Sequence, residues 1–206
     1  MYAIIADQIN SRSTADRVGA ERKRIEAEYG DRLLLPPDRS AGDELQALTD
    51  DAATALEIAL ELTRSQQFHV GLGLGRIRTP LPQSTREATG PAFFAARDAV
   101  ARAKGTAVRL AVQRQAGADE PSEPARDAEA LLTLLLILRD RRSAAGWELY
   151  DLLRQGLTQA EAAKRLGITA AAASARARAA QIRAEFAATP ALTRLVAQAD
   201  PETKEP

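Results

Sequence analysis

The stretch "GDELQALTDDAATALEIALELTR", residues 42–64, decides the fold class. Gly42-Asp43 reads as a tight turn: glycine reaches positive φ without steric cost, and aspartate favours turns by bonding nearby backbone. "ELQALT" (44–49) then reads as a strand. The pattern changes at residue 50. From there Ala52, Ala53, Leu56, Ala59, Leu60 and Thr63 recur at helical spacing as one apolar stripe. An earlier apolar run, "RLLLP" (32–36), completes a hairpin around the polar turn.

Working outward, "YAIIADQI" (2–9) is a short, mostly buried strand. Residues 12–29 have a helical pattern with Ala15, Val18, Ile25 and Tyr29 near one face. Downstream come a glycine-bearing strand, "FHVGLGLGRIRT" (68–79), a helix over 89–104 with Phe93, Ala96, Val100 and Ala103 aligned, and a strand "TAVRLAVQR" (106–114). The order β-α-β-β-α-β-α-β predicts an α+β fold, a ferredoxin-like antiparallel sheet with one extra helix and strand. "GLGLG" is not a dinucleotide fingerprint, because "RIRTPLP" follows where a helix would have to start. The glycines read instead as places where a helix lies close on the sheet.

Composition bounds the function. The 206 residues carry 28 basic and 28 acidic side chains, so any basic surface must be local. There is no cysteine, which excludes disulfides, thiolate zinc sites and cysteine nucleophiles. The single histidine, His69, argues against histidine-based catalysis and reads as an ordinary strand residue. The N-terminus lacks the pattern of a signal peptide, and the longest apolar run, "ALLTLLLIL" (130–138), is too short to span a bilayer. A cytoplasmic protein without membrane contact is expected.

"QAGADEPSEPAR" (115–126) has no apolar residue larger than alanine and reads as a linker. It separates a first domain (1–114) from a helical one (127–206). "DAEALLTLLLILRD" (127–140) is apolar nearly all round, so it docks on the first domain or pairs with another copy. Residues 146–186 read as a helix-turn-helix. Trp147, Tyr150 and Leu153 form a stripe that Leu149 and Leu152 widen. Thr158 and Glu161 form a capping box. Ala162 is small where two helices cross, Gly167 ends the second helix, Ile168 plugs the corner and Thr169 caps the third.

Between 139 and 194 stand ten basic residues (Arg139, Arg141, Arg142, Arg154, Lys164, Arg165, Arg176, Arg178, Arg183, Arg194) against five acidic ones, a local excess suited to phosphate contacts. Such a patch is also what a solvated face looks like. The DNA-contact candidates are Thr158, Gln159, Thr169, Ser174, Arg176, Arg178 and Arg183. The third helix opens with Thr169, Ala170 and Ala171. Alanine offers only a methyl group, so phosphate-dominated binding with modest base preference is expected. A lone helix-turn-helix needs two half-sites, which together with helix 127–140 predicts a homodimer.

Taken in order, Asp7 at the end of the first strand, Gly42-Asp43-Glu44 on a hairpin, "VGLGLGRI" on a strand and "GPAFFAARDAVARAK" (90–104) on a helix resemble the class III nucleotide cyclase homology domain. Together with the C-terminal helix-turn-helix, they resemble the SatD family. The resemblance implies Asp7 and Asp43 as ligands of a divalent cation, Mg²⁺ or Mn²⁺, with a nucleotide held near Gly42 and Arg39. It also implies that cyclase turnover is lost, because the positions of the ribose-binding Asn and the phosphate-clamping Arg hold Phe94 and Asp98. An Asp there reverses the sign of the field. The plainer readings stay open: Asp43 as a turn residue, and Asp7 as the cap of a helix starting near Ser11 or Ser13. Two functions follow. One is a DNA-binding regulator with a degenerate cyclase-like sensor or dimerisation domain. The other is a metal-dependent nucleotide-binding or nucleotide-processing protein whose C-terminal helices are an interaction module.

Overall fold

The computed structural model describes residues 1–40, 42–114 and 123–200. They form two compact units: residues 1–133 with the chain from 192 onward, and residues 134–191. In the first unit the chain runs β1 (Tyr2–Gln8), α1 (Val18–Tyr29), β2 (Leu35–Ser40), β3 (Glu44–Thr49), α2 (Ala52–Arg64), β4 (Phe68–Leu74), α3 (Pro91–Ala103) and β5 (Leu110–Arg114). Two helices, α4 (Glu123–Asp140) and α8 (Ile182–Ala199), each continue from one unit into the other. Most of the expected linker, 115–122, lies outside the described residues. Its last part, from Glu123, is already the start of α4.

The strands lie in the order β2-β3-β1-β4-β5. β1 is antiparallel to both neighbours, but β5 is parallel to β4. The α+β class is as expected, whereas the sheet is mixed rather than antiparallel. The reason is the connection: β4 reaches β5 through α3, and a helical crossover returns the chain in its original direction. Glu129 of α4 closes the outer edge of β5. It accepts from the Val112 N–H at 2.6 Å and pairs with Arg102 at 2.7 Å. An unpaired strand edge is thereby covered.

Alternation along β1 builds the core. Ala3 and Ile5 face a cluster with Leu48, Phe93, Ala96 and Val100, so this face of the sheet carries α3. α3 crosses β4 at Gly71 and Gly73. A Cβ at Gly73 would stand 2.1 Å from the Ala92 carbonyl oxygen and 2.3 Å from the Ala96 nitrogen. The glycines therefore do permit close packing.

Three boundaries differ from the periodicity. α1 begins at Val18, six residues later than expected, because residues 9–17 are gathered around Gln8. Its amide donates to Thr14 Oγ1 and the Ala15 carbonyl and accepts from the Arg17 N–H. Asp7 does not cap this helix; Asp16 Oδ1 accepts from the Val18 N–H instead. β2 is displaced C-terminally onto "LPPDRS" and pairs only with β3, with an irregularity between Leu35 and Asp38. Pro36 and Pro37 have no N–H to give, which an edge strand tolerates. α2 starts at Ala52 because Asp51 caps it, accepting from the Thr54 N–H at 2.8 Å. Burial pushes the Asp51 carboxyl up, but hydrogen bonds from Thr54 and Ala53 outweigh that and hold it below its ordinary value.

The second unit holds α5 (Ala144–Arg154), α6 (Gln159–Arg165) and α7 (Ala170–Ala179). Each has a side-chain cap: Ser143, Thr158 and Thr169. Gly156 (φ +89°) and Gly167 (φ +65°) end α5 and α6 in the left-handed region. Leu149, Tyr150, Ala162, Ala177, Ala180 and Ile182 form the core, with Trp147, Leu152, Leu153 and Leu166 packed against it. Leu166 and Ile168 are both partly buried, and Leu166 packs against this core.

Candidate functional site

Two places in the molecule bear on function. On the sheet, register sets the neighbours of Asp7. It stands opposite Glu44 of β3 on one side and His69 of β4 on the other. Cross-strand partners share a face, so the row Glu44–Asp7–His69 lies on the face that carries α3. Lys104, the C-cap of α3, pairs through its ammonium with the Asp7 carboxylate. Glu44 Oε1 accepts from Gln46 Nε2 at 2.6 Å. Burial pulls the His69 imidazole below its ordinary value, against a hydrogen bond to the Ala103 carbonyl; its Nδ1 is buried without a partner among the described residues.

Asp43 lies one residue before β3. Its carbonyl accepts from the Gln8 N–H at 3.0 Å, so the backbone does bring it beside the end of β1. Its carboxylate, however, accepts from Ser11 Oγ at 2.6 Å. Asp7 and Asp43 thus have separate partners. The acid directly opposite Asp7 is Glu44, a position the sequence reading passed over. Strand alternation was the signal that would have found it. Arg39 closes the turn: Nε donates to the Gly42 carbonyl at 2.5 Å and Nη1 pairs with Asp16 at 2.6 Å. Gly42 has φ +82° and an open surroundings. Phe94 and Asp98 are both solvent-exposed on α3, away from the glycine contact. A divalent cation shared by Asp7 and Asp43 would compete with Lys104 for the one carboxylate and with Ser11 for the other. Among the described residues, no three His, Cys, Asp or Glu side chains converge on one point.

The second place is the helical unit. The Thr158 N–H and hydroxyl both donate to Glu161 Oε2 at 2.7 Å, and the Glu161 N–H donates back to Thr158 Oγ1 at 3.3 Å. The bonds from the Thr158 hydroxyl and then its N–H hold the Glu161 carboxyl below its ordinary value. Thr158 and Thr169 are therefore occupied as caps, though exposed. On α7, Ala170, Ala171, Ala172, Ala175 and Arg178 are exposed, while Ala173 and Ala177 are buried. Ser174 is partly buried. Arg176 turns back to α5, 3.6 Å from Glu148, and donates to the Ala145 carbonyl at 3.4 Å. Arg183 donates to Gln159 Oε1 at 3.3 Å, which joins two of the DNA-contact candidates.

The basic patch is smaller than its composition suggests. Arg139 and Arg142 are buried, both paired with the buried carboxylate of Glu185. Their guanidinium groups lie over the rings of Trp147 and Tyr150. Burial, followed by the nearby Glu185 charge, pushes the Tyr150 hydroxyl above its ordinary value. Neither arginine is a phosphate contact. The physical reason is the knot itself, in which one carboxylate draws two guanidinium groups out of water. On α6 and α7, Lys164, Arg165 and Arg178 are exposed and have no acidic partner among the described residues.

No helix among the described residues is long and apolar enough to cross a membrane. No curated protein and no solved structure matches the chain. One family description does match, over residues 1–195, and so spans the sheet, α4 and the helical unit together. On that match, the chain belongs to the SatD family.

Proposed function

We propose that the protein is a DNA-binding regulator that acts as a homodimer. The helical unit contacts DNA through α6 and α7, and the cyclase-like sheet unit serves as a sensor or dimerisation platform without cyclase turnover. The strand order β2-β3-β1-β4, with helices between, supports the cyclase-like reading of the sheet. The observation that carries the DNA reading is the pairing of a capped helix-turn-helix with three exposed cations on its second and third helices, Lys164, Arg165 and Arg178, which have no acidic partner among the described residues. The methyl groups at the start of α7 leave little to read base edges. Binding is accordingly dominated by phosphates and strongly dependent on salt.

The test is fluorescence-anisotropy binding to genomic DNA fragments at several salt concentrations. Replacing Lys164, Arg165 and Arg178 together by Ala weakens binding. It also flattens the log–log salt slope by about 2–3, since each phosphate contact contributes roughly 0.9. An unchanged affinity and slope would remove the DNA reading and leave the helical unit as a protein-interaction module.

A further inference from the structure

α4 exposes Leu131, Leu134, Ile137 and Leu138, with Leu134 the most open at 60%. The opposite side of the same helix is buried through Ala128, Leu132, Leu135 and Leu136. Leu131, Leu134 and Leu138 follow spacings of three and four and so form one stripe. That stripe continues to Asp127 at one end and to Arg141, just past the helix, at the other; both are exposed. Asp127 and Arg141 stand equally far from Leu134, about two helical turns either way. The line is therefore apolar at its centre, acidic at its start and basic at its end.

Such a line is complementary to itself in one orientation only. Laid antiparallel, two copies place Leu134 on Leu134 at a two-fold axis and Asp127 on Arg141 at both ends. Laid parallel, they place Asp127 on Asp127 and Arg141 on Arg141, which is repulsive. We propose that α4 is the homodimer contact, with a second copy of this chain antiparallel to it about an axis at Leu134. The inference rests on the dimeric part of the reading above and is independent of DNA binding.

The chain has no cysteine, so the full-length protein can be probed with introduced ones. Leu134→Cys cross-links under mild oxidation. Asp127→Cys alone does not, because its two copies would be about 20 Å apart along the axis. A mixture of Asp127→Cys and Arg141→Cys chains does cross-link. In light scattering, Leu134→Glu raises the dimer dissociation constant about a hundredfold, as for an interface anchor. Because Leu134 is exposed, the melting curve of the monomer is preserved. Asp127→Arg weakens the dimer and Arg141→Asp in the same chain restores it. A parent protein that stays monomeric would overturn both the dimer and its contact. A dimer indifferent to Leu134→Glu would overturn the α4 contact alone. Cross-linking of Asp127→Cys as fast as Leu134→Cys would overturn the antiparallel arrangement.

Discussion

In the sheet unit, Asp7 meets Lys104, Arg39 meets Asp16 and the Gly42 carbonyl, and Asp43 meets Ser11. In the helical unit, Arg139 and Arg142 are consumed by Glu185, yet Lys164, Arg165 and Arg178 face water with no acid beside them among the described residues. The difference teaches that residue type alone does not make a ligand site. A charge already satisfied must break an internal pair before it can bind anything else. An exposed, unsatisfied one gives up little beyond its hydration. By that measure the helical unit is the better placed to hold an external anion.

The units also differ in how they achieve close approach, and the sharpest test lies there. α3 rests on the bare backbone of β4, whereas α6 and α7 cross on alanine side chains, Ala162 and Ala177. Gly73→Ala puts a carbon where the Ala92 and Ala96 backbones already stand. It should destabilise the protein by about 3 kcal/mol or more, since the helix must lift from the sheet. Thermal unfolding measures this; a melting temperature equal to the parent's would mean that α3 does not sit on β4 as described.

The next effect tests the ionic knot. Glu185→Ala leaves two buried guanidinium groups without their carboxylate. Removing one partner from a buried pair costs about 3–5 kcal/mol. Replacing Arg139, Arg142 and Glu185 together by apolar residues of similar volume should cost much less, because no stranded charge remains. Denaturant titration of both variants separates the pairing from the packing. If the triple variant is as damaged as Glu185→Ala, the stacking on Trp147 and Tyr150 matters more than charge. A smaller loss, about 1 kcal/mol, is expected for Thr158→Ala, which removes the α6 cap. In that variant the carboxyl of Glu161 should titrate closer to its ordinary value, because the Thr158 hydroxyl is the main cause of its lowering. Carboxyl chemical shifts followed against pH report it.

The order of strands and helices was legible because each element keeps its own period, and because the caps at Thr158 and Thr169 stand where helices start. The start of α1 was not. Residues 12–17 have helical spacing, but Gln8 holds them by bonds no periodicity reveals. β2 was displaced for a similar reason: its apolar run precedes the strand, and its prolines argue against one. At the candidate site, sequence order brought the end of β1 and the hairpin together. The one-residue question of which acid faces Asp7 needed the register, and register flips a face with every position. The fate of Arg139 and Arg142 was hidden entirely, since their partner lies more than 40 residues away and arginine is ordinarily a surface residue.

The smallest effect is the most informative about the sheet. His69 is flanked by Asp7, which favours its charged form, and by Lys104 and Arg109, which oppose it; burial, the largest influence, also opposes it. The imidazole thus gains its proton less readily when folded than when unfolded. Between its lowered value and the ordinary histidine value, the unfolded chain binds more protons, so stability rises with pH through that window. Its contribution is complete above about pH 6.5 and is lost as the pH falls below it. With His69 only partly buried, solvent screening keeps the change small. Melting temperatures of the parent should therefore fall between pH 7 and pH 5, and those of His69→Gln should fall less. Lys104→Met sharpens the comparison. It removes one opposing charge from the imidazole and frees Asp7, so the parent's acid-side loss should shrink. If Lys104→Met leaves the pH profile untouched, the Asp7–Lys104 pair does not act on His69, and the polar row is three independent side chains rather than one coupled group.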